Sequence, residues 1–287
     1  MEVGETGVKR GKREKWKRGK ANVEEKGEKG RVTNKEVKRA SLPQFIMLAT
    51  ALAFLIACGA PPVENKKVPT PAPTPIPPEA ERIQKPVNIS FSTYSREWGV
   101  GWQWVDPDEA IDPTPHDVKT GMLRVRLTAR KDLTPEKQNA PRYVKPIAGD
   151  FQIETRVRFN PTENYEGAGV VIYNNPNNFL RFERSFGGPG GGGSGIRLDA
   201  NKAGVFVSIA APGETQTSAS AVDLRLVRTG QVFSAYWRED ENGEWRAAGD
   251  FDSDYPDAIM AGVLVCNTAR EAAAEFEYIK LLPVAKK

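Results

Sequence analysis

Between Phe151 and Phe159 the apolar residues fall on every second position. Phe151, Ile153, Val157 and Phe159 form one row with Thr155, while Gln152, Glu154, Arg156 and Arg158 form the other. A period of two is the pattern of a strand with one face buried and one face in water. Asn160-Pro161 ends the run, residues 168–173 make a short apolar and β-branched stretch, and Asn174-Asn175-Pro176-Asn177 supplies turn chemistry before Phe179 opens the next strand. The same reading predicts strands at 87–92, 101–105, 122–129, 143–147, 151–159, 168–173, 178–185, 196–199, 205–210, 222–228, 232–238, 259–265 and 275–282. No stretch between them carries the helical period, and Ala272 to Ala274 is short enough to read as a turn. Gly230 fits a tight hairpin, and Asn242-Gly243 between Trp237 and Trp245 is a strong hairpin signal. Short strands at this spacing without helices predict an all-β sandwich of two sheets.

The sandwich is assigned to residues 86–284, and what precedes it reads as an address and a tether. Residues 1–41 are rich in Lys, Arg, Glu and Gly and have too few apolar side chains to order themselves. Residues 45–57 are almost wholly apolar, but these 13 residues fall short of the ~20 that a membrane-spanning helix needs. Residues 42–58 therefore read as a signal peptide. Leu55-Ile56-Ala57-Cys58 resembles the lipobox of bacterial lipoproteins, which implies cleavage before Cys58 and acylation of its thiol. Residues 59–85 form a proline-rich linker, extended at about 3.1 Å per residue in polyproline II geometry. More than forty residues ahead of the apolar core exceed an ordinary basic leader. A start at Val37, read as Met from a GTG codon, restores that leader, and residues 1–36 would then be untranslated.

Charge sharpens this division. Residues 1–40 hold 14 Lys and Arg against 7 Asp and Glu, a surplus of +7, so a chain total of +4 leaves −3 on the remainder. A slightly acidic folded part does not suit a nucleic-acid reader, and no nucleic-acid partner is expected. The chain is expected to be an extracytoplasmic, lipid-anchored monomer whose partners are the membrane, through Cys58, and a polysaccharide or glycan.

APRYVKPIAGDFQIETRVRF, YEGAGVVIYNNPNNFLRFE, LRLVRTGQVFSAYWREDENGEW and AGVLVCN with EFEYIKL together resemble the concanavalin-A-like lectin/glucanase superfamily. Within it the motifs are most similar to a bacterial branch related to "regulation of enolase"-type proteins and to modules found beside glycoside hydrolases. The resemblance implies a jelly-roll sandwich with a concave face that often takes glycans. It points to Arg142, Asn178, Arg181, Glu183 and Trp237 as the polar and aromatic candidates on that face. Arg181 and Glu183 lie two apart on one strand, so they share a face with Phe179, and two charges in one row predict that this face is open to water.

The superfamily's hydrolases carry a Glu-x-Asp-x-Glu strand that brings two carboxylates to bear on one glycosidic bond. This chain has none, and no catalytic residue is assigned; a glycoside hydrolase or lyase ranks behind a binding role or an envelope interaction role. His116 reads as a surface histidine and Cys266 as a core thiol. No cofactor is expected, a structural calcium being the one for which carboxylates are at hand. Asp250-x-Asp252-x-Asp254 lacks the glycine and the glutamate of an EF-hand loop, with Tyr255 and Ala261 in their places, and Asp106 with Asp108 is the other candidate. Trp102 and Trp104 alternate about Gln103, a spacing that buries at least one face.

Overall fold

The computed structural model describes residues 79–91, 100–188, 192–266 and 270–284. Cys58, the signal segment and residues 59–78 of the linker lie outside them. Among the described residues every regular element is a strand.

In chain order these are β1 (Glu81–Arg82), β2 (Val87–Ser90), β3 (Gln103–Val105), β4 (His116–Lys119), β5 (Met122–Leu127), β6 (Arg142–Ala148), β7 (Phe151–Arg158) and β8 (Gly167–Asn175). Then come β9 (Asn178–Phe186), β10 (Ser194–Lys202), β11 (Val205–Ala210), β12 (Ala221–Thr229), β13 (Val232–Arg238), β14 (Arg246–Asp252), β15 (Ala258–Cys266) and β16 (Ala272–Pro283). They form two sheets. The first runs β1-β6-β15-β8-β9-β10-β11 with β3 also paired to β6; the second runs β14-β13-β12-β7-β16-β5-β4 with β2 also paired to β16. All pairings are antiparallel except that of β1 with β6.

The alternation read from the sequence decides which side chains fill the space between the sheets. Ile153, Val157, Leu224, Leu226, Phe276 and Ile279 from the second sheet meet Val170, Ile172, Leu180, Phe182, Ile196 and Leu198 from the first in one core. Each fully buried Leu, Ile or Phe in it contributes about 1.5–3 kcal/mol relative to exposure, so a one-residue slip of any central strand is strongly disfavoured.

Three strands have no counterpart in the sequence reading: β1, β4 and β14. Residues 272–274 are not a turn, since their alanines extend β16 against β5, with Ala272 and Ala274 inward. The first sheet also begins before the assigned boundary, because Glu81 and Arg82 pair alongside Ile147 and Ala148.

Candidate functional site

The polar chemistry lies on the outer face of the first sheet. On β9, Leu180 and Phe182 enter the main core, which turns Phe179, Arg181 and Glu183 outward. On β10, Ile196, Leu198 and Ala200 enter it, turning Arg197, Asp199 and Asn201 outward. Antiparallel register then sets Arg181 opposite Asp199 and Glu183 opposite Arg197, which places opposite charges across the strand pair. Arg197 donates to Glu183 Oε2 through Nη2 at 2.6 Å and Nε at 3.1 Å, and its Nε lies 3.1 Å from Asp199 Oδ2. Arg181 Nη1 lies 3.0 Å from Asp132 Oδ1 and its Nη2 lies 3.6 Å from Asp199 Oδ2.

This face is not open, contrary to the expectation drawn from the Arg181 and Glu183 row. Arg181 is 7% exposed, and Glu183 and Arg197 are 0% exposed. The cause is the segment between β5 and β6, which folds across the sheet: Leu133 and Ala140 pack on Val144, Val171, Phe179 and Leu264, and Asp132 brings the carboxylate that meets Arg181. The charges are tolerated because they pair and not because they are wet. Glycine makes the remaining room. A Cβ at Gly167 would stand 2.7 Å from the Glu183 carboxyl carbon, and one at Gly188, where φ is +106°, would stand 2.8 Å from Arg197 Nη1.

Titration follows this geometry. Burial alone would raise the Glu183 pKa, but Arg197 and Arg181 outweigh it and hold the carboxylate below its ordinary range. Asp199 has the longer ion pairs and Glu183 as a neighbour of like charge; burial dominates and pushes it up to about 6. Arg181, which burial would lower, is raised by Glu183 and its other anionic neighbours. The folded Asp199 thus keeps a proton that its unfolded counterpart loses near pH 4. Its contribution to stability is fully present below about pH 4 and is lost as pH rises through about 6, while that of Glu183 is present above the usual glutamate range and lost below it. Asp199→Asn, which removes the titration at nearly constant size, is expected to flatten the melting temperature between about pH 4 and 6. Thermal melts across that range check this; a slope unchanged by the substitution assigns the proton elsewhere.

Beside the covering segment the face opens into a cavity of about 280 Å³ lined by Asp132, Pro135, Tyr165, Arg181, Asn201 and Phe206 among others. Arg181 Nε and Asn201 Oδ1 are buried and have no hydrogen-bond partner in the protein, one a donor and the other an acceptor. Two rings stand at the mouth, Tyr165 at 44% and Phe206 at 41% exposure. Tyr165 has φ +71°, a left-handed conformation that costs on the order of 1–3 kcal/mol outside glycine. It is held there by its N–H bond to Phe186 O and by Glu166, whose carboxylate accepts from the N–H groups of Thr162 and Glu163.

The structure brings together three of the five residues that the sequence singled out. Arg142 lies on the same outer face as Arg181 and Glu183, 7% exposed, with Nη1 donating to Ala140 O at 3.1 Å and its guanidinium 4.6 Å from the Tyr173 ring centre; burial lowers its pKa. Asn178 sits at the strand end and ties two turns, donating to Asn175 Oδ1 and accepting from the Ala203 N–H. Trp237 is not on this face: it shares an inward row with Phe233 and Ala235, is 4% exposed and belongs to the core between the sheets. Asp132, Tyr165, Arg197, Asp199, Asn201 and Phe206 escaped the sequence reading. The Arg197-x-Asp199-x-Asn201 alternation is the available signal, and the strand runs to Lys202, three residues beyond the expected end at 199.

Among the described residues no group of three or more His, Cys, Asp or Glu side chains converges as metal ligands would. At the Asp106/Asp108 candidate, Asp106 receives Lys131 Nζ at 3.2 Å and the Thr114 N–H, and Asp108 receives Asn139 Nδ2. Asp250 and Asp252 lie exposed on β14, the edge of the second sheet. His116 stacks on Trp104 with ring centres 4.0 Å apart, and Cys266 is a buried free thiol.

The two-sheet sandwich is a concanavalin-A-like domain. The chain belongs to the family of beta xylosidase C-terminal concanavalin A-like domains (GH43_C2), which it matches over residues 90–279. No curated protein matches it. Among solved structures it is similar to the GH43 BlXynB protein from Bacillus licheniformis, at 21% identity and a TM-score of 0.56 over 69% of this chain and 39% of that one. It is also similar to the Bacteroides ovatus Xyloglucan PUL GH43B protein, at 14% identity and a TM-score of 0.55 over 70% of this chain and 40% of that one. A functionally unknown protein from Saccharomyces cerevisiae aligns at 12% identity and a TM-score of 0.52 over 65% of this chain and 98% of that one. These structural likenesses show the shared fold alone, and the chain spans about two fifths of the length of the two GH43 proteins.

Proposed function

We propose that this chain is a lipid-anchored, extracytoplasmic module whose sandwich binds a neutral glycan at the cavity beside Arg181 and catalyses nothing itself. The observation that carries the reading is the combination at that cavity: two half-exposed rings at the mouth above a buried donor and a buried acceptor without protein partners. A sugar ring offers apolar C–H faces to stack on aromatics and hydroxyls that both donate and accept. The charges on this face balance, with Arg142, Arg181 and Arg197 against Asp132, Glu183 and Asp199, which favours an uncharged ligand. Glu183 and Asp199 are sealed from solvent and ion-paired, and the Asp132 carboxylate is held by Arg181 and the Leu133 N–H, so none is placed to work as acid and base across a glycosidic bond. The printed names of the relatives, a beta xylosidase family and a xyloglucan locus protein, make xylo-oligosaccharides and xyloglucan fragments the first probes. The anchoring rests on the lipobox resemblance at Cys58.

In calorimetric titration of the full chain, Tyr165→Ala and Phe206→Ala are each expected to weaken binding about five- to tenfold, the worth of one stacked ring. Their melting temperatures should stay within about 2 °C of the parent, because both rings are half-exposed and neither belongs to the core between the sheets. Unchanged affinity in both variants sinks the reading.

A second reading, an interaction module that packs against another envelope protein, is favoured by one fact: in the Bacillus licheniformis relative the matched region is 39% of a longer chain. It predicts no glycan binding at all by the parent chain.

A further inference from the structure

A second site lies on the other sheet. The outer rows of the second sheet are rich in arginine, and most of these have a carboxylate in close contact. Arg158 holds Glu277 at 2.6 Å, Arg225 holds Glu154 at 2.7 Å, Arg238 holds Asp223 at 2.7 Å and Arg156 holds Asp223 at 3.0 Å. Two depart from this rule. Arg124 on β5 comes no nearer than 3.8 Å to Glu275, and Arg126 comes no nearer than 3.7 Å to Asp117, both beyond hydrogen-bond distance. Arg124 Nε is moreover buried without a hydrogen-bond partner.

The reason is local. In the β5–β16 register Arg126 stands beside Ala273, whose methyl group offers no counter-charge and leaves space where a longer side chain would reach. The result is an open groove of about 400 Å³ lined by Arg124, Arg126, Asn160, Arg270, Ala272 and Ala273, with Phe159 and Glu271 completing it. Arg270 is held in position there by Glu166 at 3.0 Å and by Thr162 Oγ1 at 2.7 Å. Three guanidinium groups line it over alanine and phenylalanine carbons; Arg270 is ion-paired with Glu166, whereas Arg124 and Arg126 have Glu275 and Asp117 only at 3.8 and 3.7 Å, which leaves their N–H donors for a ligand.

We propose that this groove binds the carboxylate of an acidic sugar, a uronic acid residue, with Arg124 and Arg126 as its charge-assisted donors. A guanidinium matches a carboxylate through two parallel N–H donors, and a bare inorganic anion would leave the carbon floor and the Asn160 amide unused. The inference takes from the proposed function only that the domain is directed to glycans, since the two sites are on different sheets.

The test is binding of sodium glucuronate to the full chain, followed by NMR shifts of the arginine Nε–H signals, in the parent, in Arg124→Gln/Arg126→Gln and in Phe206→Ala. Saturable binding is expected in the parent. It should weaken at least tenfold in the double glutamine variant and on raising salt from 0.1 to 0.5 M, persist in Phe206→Ala, and be absent with glucose, which lacks the carboxylate. Both substituted side chains are partly exposed, so the melting temperature should hold and the loss can be read as lost binding. Equal glucuronate binding in the double variant overturns the site. Equal binding of inorganic sulfate overturns the sugar-acid assignment. Loss of neutral glycan binding in Phe206→Ala with glucuronate retained bears on the cavity of the first sheet alone.

Discussion

Replacing Lys131 by methionine is expected to lower the melting temperature by about 6 to 20 °C. The ammonium is 1% exposed, as is the Asp106 carboxylate 3.2 Å away, and Asp112 stands 3.8 Å from it and also presents its carbonyl. Methionine preserves the length and the packing of the stem but leaves Asp106 as a buried charge whose remaining partner is the Thr114 N–H. Breaking one side of a buried pair costs about 3–5 kcal/mol, and 1 kcal/mol moves the midpoint of a domain this size by roughly 2–4 °C. The pair of Arg82 with Asp257 is the natural control, with side chains 63% and 57% exposed, and its removal should shift the midpoint by no more than about 2 °C. Scanning calorimetry of both variants decides the matter. A Lys131→Met shift as small as that of Arg82→Met would show that Asp106 relaxes into water and that the pair does not hold the loop. The ammonium stands against Asp106, one of the two carboxylates that the sequence offered as a calcium candidate.

What the sequence made legible was the period, and what it hid was the long-range covering. Alternation through Phe151–Arg158 and through the strand at Phe179 correctly sorts each strand into two rows, because side-chain direction is a local property of extended backbone. Whether an outer row meets water depends on which distant segment lies over it, and nothing local to Arg181 and Glu183 announces the segment carrying Asp132 and Leu133. Trp237 could have been placed correctly by the same local rule, since Phe233, Ala235 and Trp237 form an apolar row against Ser234, Tyr236 and Arg238. Its aromatic character suggested a ligand platform and outweighed the pattern. The missed strands lack the pattern altogether: β14, reading RAAGDFD, is exposed along most of its length, and β1 is two residues paired to a neighbour sixty-odd positions away. Within the site, Arg197 and Asp199 acquire meaning only through register, which places them opposite Glu183 and Arg181 and turns two unremarkable strands into a neutral charge lattice.

That lattice is where the second large effect is expected. Arg197 and Glu183 are both fully buried, joined by two hydrogen bonds of 2.6 and 3.1 Å, and Gly167 and Gly188 are shaped around them. Arg197→Met leaves the Glu183 carboxylate buried with Arg181 as its remaining cationic neighbour, and Glu183→Leu leaves the guanidinium with Asp199 as its remaining ion-pair partner. Each single change is expected to cost about 3–5 kcal/mol, again about 6 to 20 °C in melting temperature. The double variant Glu183→Leu/Arg197→Met removes both desolvation costs with the attraction and should recover a large part of the loss, giving a coupling of several kcal/mol in the cycle; the remainder is the Arg197 contact that Asp199 forgoes. Recovery has a second consequence for the cavity, because Arg181 loses Glu183, the foremost of the anions that raise its pKa, while keeping Asp132 and Asp199. Its place in the cavity wall is then fixed by Asp132 alone at close range. A double variant that is as stable as the parent but binds glycan less well would mean that the buried pair serves to position Arg181, whereas unchanged binding would make it a packing feature only. Singles that each cost under about 1 kcal/mol would contradict the sealed pair itself, since a carboxylate able to recover its water would have to lie within reach of it.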